Sequence, residues 1–283
     1  MFYSFSLLSL FRFFQMHFRI VLLTASDTSN LGRVDKASLS TQTLMEIFIQ
    51  GIENREVICG SAEAPNDIDQ WKGFEYCQEE HTNEAEKHFR IKWFYFGLVG
   101  KIDLQWLPPT VLSLEIKYNK LTASLNLTTL PPSIQCLELR NNAFSGEIDL
   151  CHLPAEINVL NLSSNQLSGS INLKELPRPM QALYLSDNRF TGTVCLQVLP
   201  PGLQELFLDE NALCGVVDLS HFPVTMKFLC LDKNNFEGKT DFSQLPEGLV
   251  GLYISYTNLS GKILVRNGTT CFHVEHSNVQ LIR

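Results

Sequence analysis

The 283-residue sequence predicts a β-rich solenoid of the α/β superhelix class, formed by stacking one short unit many times. The first indication is an asparagine that recurs every 23 residues, at Asn119, Asn142, Asn165, Asn188, Asn211 and Asn234. A proline recurs with the same interval between Pro108 and Pro246, and a glycine recurs with it between Gly146 and Gly261. A constant period of roughly 20 to 50 residues is typical of repeat architectures.

Each unit contains two short apolar alternations separated by a bend. In the turn covering residues 134–153, Leu137 and Leu139 form the first pair, and Ile148 and Leu150 form the second. Side chains two apart on a strand point the same way, so both pairs are expected to face the interior. The glycine tolerates unusual backbone angles at the bend, and the proline after this turn prevents a long helix. The unit is therefore predicted to have a parallel strand on one side and a second strand or irregular segment on the other.

The recurring asparagine is polar at a position that the pattern places inside the turn. An unpaired amide buried there would cost roughly 1 to 3 kcal/mol. Stacked at the same place in successive turns, the amides can bind backbone groups that the bend leaves without partners. We therefore predict a ladder of asparagine side chains, which frays where Phe96 and Thr257 take this position in the first and last turns.

Leucine and phenylalanine alternate two residues after each ladder asparagine. The series is Leu121, Phe144, Leu167, Phe190, Leu213, Phe236 and Leu259. Parallel strands stack about 4.7 Å apart, so alternating a ring with an aliphatic chain avoids rings packed face to face at every turn. Duplication of a two-turn unit explains the alternation equally well, and the sequence does not distinguish the two explanations.

The repeated segments resemble the leucine-rich repeat family, whose core pattern is LxxLxLxxNxL. Matching segments are IQCLELRNNAF, INVLNLSSNQL and MQALYLSDNRF. The following G-x-I-x-L is similar to the extracellular plant-type subclass, without the proline that usually follows its isoleucine. The L-P-x-x-L entry is more like bacterial effector repeats, and arrays in protozoan surface proteins are also similar. The resemblance covers roughly residues 91–263. It implies a curved solenoid, a parallel sheet on the concave side, and protein recognition as the usual role.

We divide the chain into four parts. These are a leader at residues 1–43, an N-terminal cap at 44–90, an array of about seven to eight turns at 91–263, and a C-terminal cap or tail at 264–283. The cap is expected to cover the open apolar end of the first turn. Within it, the segment MEIFIQ alternates like a strand, and a short helix after Pro65 is expected to bury Ile68 and Trp71.

The leader leaves the compartment open. It can be read as a signal peptide from Met1 or from Met16, or as a disordered segment, and any membrane association is expected only through it. Four glycosylation sequons begin at Asn126, Asn161, Asn258 and Asn267, and they accept glycans only if the chain is exported. A glycan on Asn161 would obstruct the middle of the concave face.

Six of the eight cysteines fall at different positions in the repeat, so stacking does not bring them together, and free thiols are expected there. The other two, Cys59 and Cys77, resemble the cap disulfide of secreted leucine-rich repeat proteins, which implies a pairing between them.

Charge and motifs exclude several functions. The net charge is −8, which argues against a nucleic-acid partner because a phosphate backbone requires clustered cations. The sequence contains no phosphate-binding glycine loop, no G-x-S-x-G elbow and no His-Glu helix motif. We therefore predict no catalytic residue, no cofactor and no metal.

Candidate binding residues lie on the predicted concave strands. The residue between the two leucines varies freely, and exposed aromatic side chains at Tyr184 and Phe207, with Phe228 nearby, are predicted to anchor a partner. The residue two before each ladder asparagine changes from basic, at Lys117 and Arg140, to acidic. The acidic residues predicted to favour a basic ligand are Asp209, Glu210 and Asp232. An ordinary solvated sheet face is the alternative interpretation.

From these features we predict a non-catalytic module that binds a protein or peptide on its concave face and is secreted or located at the cell surface. The alternative is a cytoplasmic leucine-rich repeat scaffold or adaptor whose associated partner supplies the activity.

Overall fold

The computed structural model describes residues 35–77, 87–265 and 270–282. The chain divides into a unit of residues 1–38 and a compact unit of residues 39–283. Of the first unit only residues 35–38 are described, and Lys36–Ser38 form a 3-10 turn there. Of the predicted leader at residues 1–43, residues 1–34 lie outside the described residues. The compact unit begins at Leu39, before the predicted boundary at residue 44. No helix in the described ranges is long and apolar enough to cross a bilayer.

The compact unit is a β-solenoid, as predicted, and its strands from Phe89–Lys92 onward alternate between two sheets. In the turn covering residues 134–153 the second strand forms at Ala143–Gly146, whereas Ile148 and Leu150, which were predicted to form it, are buried in the irregular segment that follows. The ten-stranded first sheet contains β1 (Phe74–Tyr76), β2 (Phe89–Lys92), β4 (Val111–Glu115), β6 (Cys136–Glu138), β8 (Val159–Asn161), β10 (Ala182–Tyr184), β12 (Glu205–Phe207), β14 (Phe228–Cys230), β16 (Gly251–Tyr253) and β18 (Cys271–His273). The nine-stranded second sheet contains β3 (Val99–Lys101), β5 (Lys120–Ser124), β7 (Ala143–Gly146), β9 (Gln166–Ser170), β11 (Arg189–Thr193), β13 (Ala212–Gly215), β15 (Asn235–Lys239), β17 (Asn258–Leu264) and β19 (Asn278–Ile282). The strands of the array pair in parallel in both sheets, whereas β1 and β2 pair antiparallel.

The two sheets differ in register. In the first sheet, paired residues are one full repeat apart, as Leu183 is from Leu206. The second sheet is staggered, so Phe190 pairs with Gly169 and Leu213 pairs with Gly192. Six of the seven side chains in the leucine–phenylalanine series therefore have a glycine of the preceding turn as strand partner, whereas Phe144 pairs with Ala123. This stagger, as well as the alternation itself, keeps the rings apart.

Each ladder asparagine bridges two turns. The Asn188 Oδ1 accepts a hydrogen bond from the backbone N–H of Leu167 at 3.0 Å. Its Nδ2 donates to the carbonyl of Leu162 in the preceding turn at 3.0 Å and to that of Leu185 in its own turn at 3.2 Å. The other five asparagines make the corresponding bonds between their own turns. The amide thus replaces backbone partners that the bend removes.

A second column of short polar side chains was not anticipated from the sequence. It recurs with the same interval, where the chain leaves the second sheet, at Asp103, Asn126, Asp149, Asn172, Asp218 and Asp241. Each side-chain oxygen accepts the backbone N–H two residues further on, at 2.8 to 3.2 Å. Such Asx turns start the short return segment in these six repeats, whereas Cys195 takes the position in the repeat between Asn172 and Asp218. The alternation of Asp and Asn hid this column, because both residues make the same turn.

The segment MEIFIQ is helical, and its interpretation as strand-like was wrong. It belongs to helix α1 (Thr41–Ile49), whose N-cap Ser40 accepts a hydrogen bond from the Thr43 N–H. Met45, Phe48 and the neighbouring apolar residues of α1 are buried. Over six residues an alternating pattern also fits one face of a helix, so the capping serine was the better signal.

The rest of the cap closes the first turn of the array. A short helix α2 (Glu56–Cys59) precedes a 3-10 turn at Ile68–Gln70, and Ile68 and Trp71 are buried as expected. Trp93, at the start of the array, is fully buried. Its indole N–H donates to the Lys72 carbonyl at 2.8 Å, so one side chain joins cap and array.

The C-terminal segment predicted as a cap or tail contains a further turn of the solenoid. Strands β18 and β19 extend the first and second sheets. In this turn Ser277 takes the ladder position, and its hydroxyl donates to the Val274 carbonyl as that of Thr257 does to Ile254. Tyr253 pairs with His273, an interval shorter than the repeat. This turn was not predicted from the sequence, because its interval is shorter and serine replaces asparagine at the ladder position.

Replacing Ala123 by glycine is expected to stabilise the fold. Ala123 occupies the place of the recurring glycine and has φ 140°, where Gly192 has φ 81°. A side chain at positive φ costs about 1 to 3 kcal/mol, which exceeds the 0.5 to 1 kcal/mol entropic cost of glycine. Ala123→Gly should therefore raise the free energy of unfolding by about 1 kcal/mol in urea denaturation. Ala143→Gly, in the neighbouring strand at ordinary φ, is the control and should lower it. Equal losses in both variants would contradict the assignment of strain.

Candidate functional site

A continuous row of side chains crosses the first sheet at the position between the two leucines. Strand pairing aligns this central row as Glu115, Glu138, Asn161, Tyr184, Phe207, Cys230, Tyr253 and His273. The residue two positions further along each turn forms an outer row of Lys117, Arg140, Ser163, Ser186, Asp209, Asp232 and Ser255. The predicted binding residues Tyr184, Phe207, Asp209 and Asp232 therefore lie on one sheet face, with Phe228 adjacent.

Four half-buried rings form an aromatic patch on β10, β12, β14 and β16, and its members are Tyr184, Phe207, Phe228 and Tyr253. The ring centroids of Tyr184 and Phe207 are 5.1 Å apart, and those of Phe207 and Phe228 are 6.5 Å apart. The fourth ring, Tyr253, extends over Gly251 beside Phe228. A Cβ on Gly251 would lie 2.6 Å from Tyr253 Cε2 and 3.0 Å from Phe228 Cδ1. Glycine therefore makes room for two of the rings.

Tyr253 and Gly251 were not among the predicted binding residues. Tyr253 is in the central row, so its position was visible in the sequence. The position of its ring over Gly251 could not be predicted, because it depends on the absence of a side chain at Gly251 in the adjacent row. Beyond Tyr253, the imidazole of His273 stacks on its ring at 4.6 Å and extends the aromatic surface to β18.

The Tyr184 hydroxyl and the Cys230 thiol within this surface stay protonated. The Tyr184 hydroxyl donates to the Glu205 carboxylate, and burial followed by this bond raises the pKa of Tyr184. Cys230, between Phe207 and Tyr253 in the central row, is buried, and burial raises the pKa of its thiol. Both groups are neutral at physiological pH, so they offer neither a nucleophile nor a charge to a ligand.

The three predicted acidic residues differ in their partners. Asp209 accepts a hydrogen bond from the Ser186 hydroxyl at 2.5 Å, and Asp232 accepts one from the Ser255 N–H at 2.5 Å. Glu210 is paired with the ammonium of Lys233. The negative charge that faces a ligand beside the aromatic patch therefore comes from Asp209 and Asp232, with Glu205 on the opposite edge.

Asp232 should make stability depend on pH. Burial raises the pKa of Asp232 from 3.8 to about 6. The hydrogen bond from the Ser255 N–H lowers this pKa, and the nearby Asp209 carboxylate contributes to the rise. A carboxyl whose pKa is higher in the folded state stabilises the fold below the unfolded pKa, and this contribution is lost as pH rises through about 6. Between pH 4 and 7, the free energy of unfolding should fall by about 1 kcal/mol more in the wild type than in Asp232→Asn, after allowance for solvent screening. Parallel pH profiles of the two proteins would contradict this expectation.

The predicted modification sites differ in accessibility. Asn126 and Asn258 are exposed, whereas Asn161 is only 8% exposed and its Oδ1 accepts the Ser163 N–H. Asn161 is therefore the least accessible of the three described sequons. Asn267 lies outside the described residues. All eight cysteines are free thiols, so the disulfide between Cys59 and Cys77 is not formed in this structure. The Cys59 thiol instead contacts the carbonyls of Arg55 and Ser61.

A groove of about 620 Å³ lies along the second sheet rather than beside the aromatic patch. It is lined by residues of three successive turns, among them Asp149, Cys151, Asn172 and Cys195. Cys151 accepts a hydrogen bond from the Asn172 amide, and burial raises the pKa of its thiol. Within the described ranges, no three His, Cys, Asp or Glu side chains come together as metal ligands. This groove therefore presents no activated group.

Comparisons with known proteins identify the fold. No family model matches the chain, and no curated protein matches it significantly. Among solved structures, a plant ice-binding protein is 17% identical, with a TM-score of 0.53 over 85% of this chain and 94% of that protein. The leucine-rich repeat ectodomain of the Arabidopsis thaliana receptor kinase SOBIR1 is 23% identical, with a TM-score of 0.45 over 60% and 91% of the two chains.

A third similar structure is the Arabidopsis HAESA ectodomain, determined with a peptide hormone ligand. It is 25% identical with a TM-score of 0.43, and the match covers 56% of this chain but only 28% of the HAESA chain. Three features of this chain support the fold assignment, namely the LxxLxLxxNxL repeat, the asparagine bridges between turns and the two parallel sheets. This chain has the leucine-rich repeat fold.

Proposed function

We propose that this protein is a non-catalytic recognition module that binds a protein or peptide partner on its first sheet, the sheet that the repeat family places on the concave side. The observation that carries the proposal is the aromatic patch. Its four rings lie on consecutive strands and are only half-buried, so they are not needed to fill the interior. Aromatic side chains in this setting are enriched among residues that dominate binding energy.

The charges around the patch favour a partner with basic groups. Asp209 and Asp232 lie along one edge of the rings and Glu205 lies along the other. None of these three carboxylates is within 4.0 Å of a described cation, since the acidic partners in the described ion pairs are other residues. Uncompensated carboxylates beside an apolar surface speed the encounter with a cationic ligand and select its orientation.

Paired substitution of the two central rings tests this function. The probe is a random library of short peptides, displayed on phage with both ends fused, from which the wild-type protein selects binders. Tyr184→Ala combined with Phe207→Ala should weaken binding of the selected peptides by at least about 30-fold, because each ring is an expected anchor. Thermal unfolding should change little, since neither ring is fully buried.

A matched control removes apolar surface elsewhere. Tyr256 is 55% exposed and Val224 is 82% exposed, and both lie outside the patch. Tyr256→Ala with Val224→Ala should leave peptide affinity unchanged. Equal affinity of the wild type and the Tyr184–Phe207 variant would refute the proposed site, as would a loss of binding that merely follows a loss of folding.

We place the protein outside the cell or on its surface, on the strength of the apolar leader and the exposed sequons at Asn126 and Asn258. A cytoplasmic scaffold is the second candidate, and the eight free thiols favour it because disulfides are uncommon in reducing compartments. N-terminal sequencing of the mature protein separates the two. Cleavage within the leader supports export, and an intact leader supports the scaffold.

A further inference from the structure

Arg140, a cation on the first sheet, has no counterion among the described residues. Arg140 follows β6 in the outer row and is half-buried. Its guanidinium lies over the ring of Tyr118, with the Cζ atom 5.0 Å from the ring centroid. The Tyr118 ring in turn stacks on Tyr95, with centroids 4.3 Å apart and ring planes at 9°. Two stacked rings therefore support one face of the arginine and hold it in place.

One polar atom of Arg140 is left without a partner within the described part of the chain. Its Nε is buried and has no hydrogen-bond partner. No described carboxylate lies within 4.0 Å of the guanidinium, since none of the described ion pairs includes Arg140. A half-buried arginine ordinarily has an acidic partner, because removing the charge from water is costly.

The nearest acidic residues of the central row are already engaged. Lys117 binds Glu138 at 2.7 Å and Glu115 at 3.2 Å, and it also lies over the Phe94 ring. In the following turns the outer row is neutral, with Ser163 and Ser186. Both carboxylates therefore pair directly with Lys117, and neither pairs with Arg140 within the described residues.

We propose that Arg140 binds an acidic side chain of the peptide whose apolar anchor occupies the aromatic patch, an inference that rests on the proposed function. The guanidinium presents a planar fork that suits a carboxylate, and Tyr118 stacks on its face rather than on its donors. Arg140 and Tyr184 are two strands apart along the first sheet, from β6 to β10. Strands are spaced about 4.8 Å, so a ligand group on each would be separated by about 10 Å.

This separation defines a ligand pattern. An extended peptide rises about 3.3 Å per residue and only alternate side chains share a face, so the acidic side chain would lie two or four residues from the apolar anchor. Asp209 is one strand beyond Tyr184 and accepts a basic group on the far side of the anchor. The expected ligand is an extended segment that carries an acidic residue, then an apolar anchor, then a basic residue.

The test uses the peptide library with fused ends, which contains side-chain carboxylates but no free C-terminus. Wild-type protein should enrich peptides with an acidic residue upstream or downstream of an aromatic or aliphatic anchor, and Arg140→Gln should not enrich that acidic residue. For one enriched peptide, Arg140→Gln should weaken binding about tenfold or more. The same substitution should not weaken binding of the peptide in which the acidic residue is replaced by its amide.

Two further variants separate binding from folding. Arg140→Lys keeps the charge and loses the planar fork, and we expect intermediate affinity from it. Arg189→Gln, at an exposed arginine of β11 on the second sheet, is the matched control and should bind like the wild type. Thermal unfolding of every variant shows whether the fold is retained.

The outcomes distinguish this inference from the proposed function. If Tyr184→Ala with Phe207→Ala abolishes binding but Arg140→Gln changes the affinity of the acidic and amide peptides equally, the Arg140 site is refuted and the proposed function stands. If neither variant affects binding, the Arg140 site and the proposed function are both refuted. Binding that requires a free C-terminal carboxylate and ignores acidic side chains also overturns the inference.

Discussion

Replacing the ladder asparagine in the middle of the array, Asn188→Ala, is expected to lower the free energy of unfolding by about 3 kcal/mol. The substitution removes the acceptor of the Leu167 N–H and a donor to the carbonyls of Leu162, Leu185 and Ser186. The Ser186 carbonyl keeps its bond from the Ser164 N–H. The carbonyls of Leu162 and Leu185 keep a bond from the neighbouring asparagine of the ladder. The main cost is therefore the Leu167 N–H, which loses its partner inside the solenoid. Urea denaturation followed by circular dichroism measures the loss.

An aspartate at the same position provides a sharper control. Asn188→Asp keeps an oxygen for the Leu167 N–H, but an ionised carboxylate places its second oxygen against carbonyls that previously accepted hydrogen bonds. We expect a loss similar to that of Asn188→Ala at neutral pH, with partial recovery in acid, where the protonated group can donate again. A loss below about 1 kcal/mol in Asn188→Ala would show that this asparagine does not hold the turns together.

The second large effect is expected at the junction of cap and array. Trp93→Ala should lower the free energy of unfolding by about 3 to 5 kcal/mol, because it opens a cavity where the ring was fully enclosed. The ring stacks on Phe48 of α1 at 6.1 Å, and its N–H binds the Lys72 carbonyl. Both contacts cross from the array to the cap, so their loss exposes the apolar end of the solenoid.

Trp93→Phe separates packing from hydrogen bonding. It keeps most of the ring and loses the indole donor, and the expected cost is about 1 to 3 kcal/mol. In Trp93→Ala we also expect the cap to unfold before the array, since repeat solenoids are held together by interactions between neighbouring units. A single cooperative transition at wild-type stability would contradict the role assigned to Trp93.

The periodic parts of the fold could be predicted from the sequence, because stacked turns impose one residue type at one place many times. The strand around Leu137 and the interior positions of Asn142, Ile148 and Leu150 follow from that repetition, whereas the second strand lies at Ala143–Gly146 rather than around Ile148. Helix α1 could not be assigned from alternation, which is ambiguous over so few residues. The last turn broke the pattern because Ser277 replaces asparagine after a shortened interval.

The candidate site was partly predictable for a related reason. Tyr184 and Phe207 belong to the central row, so their alignment follows from the repeat register. The contribution of Tyr253 depends on space above Gly251, and the unpaired state of Arg140 depends on which carboxylates Lys117 takes. Those are features of side-chain conformation in neighbouring turns, and no single turn of sequence contains them.

Native-state hydrogen exchange tests the central claim that successive turns share one interior joined by asparagine side chains. The relevant amides are those that donate to the asparagine oxygens, at Leu98, Leu121, Phe144, Leu167, Phe190 and Leu213. We predict that the amides of the central turns exchange only through global unfolding, with opening free energies equal to that from denaturation. Rapid exchange at Phe144, Leu167 and Phe190 in an otherwise folded protein would contradict the account.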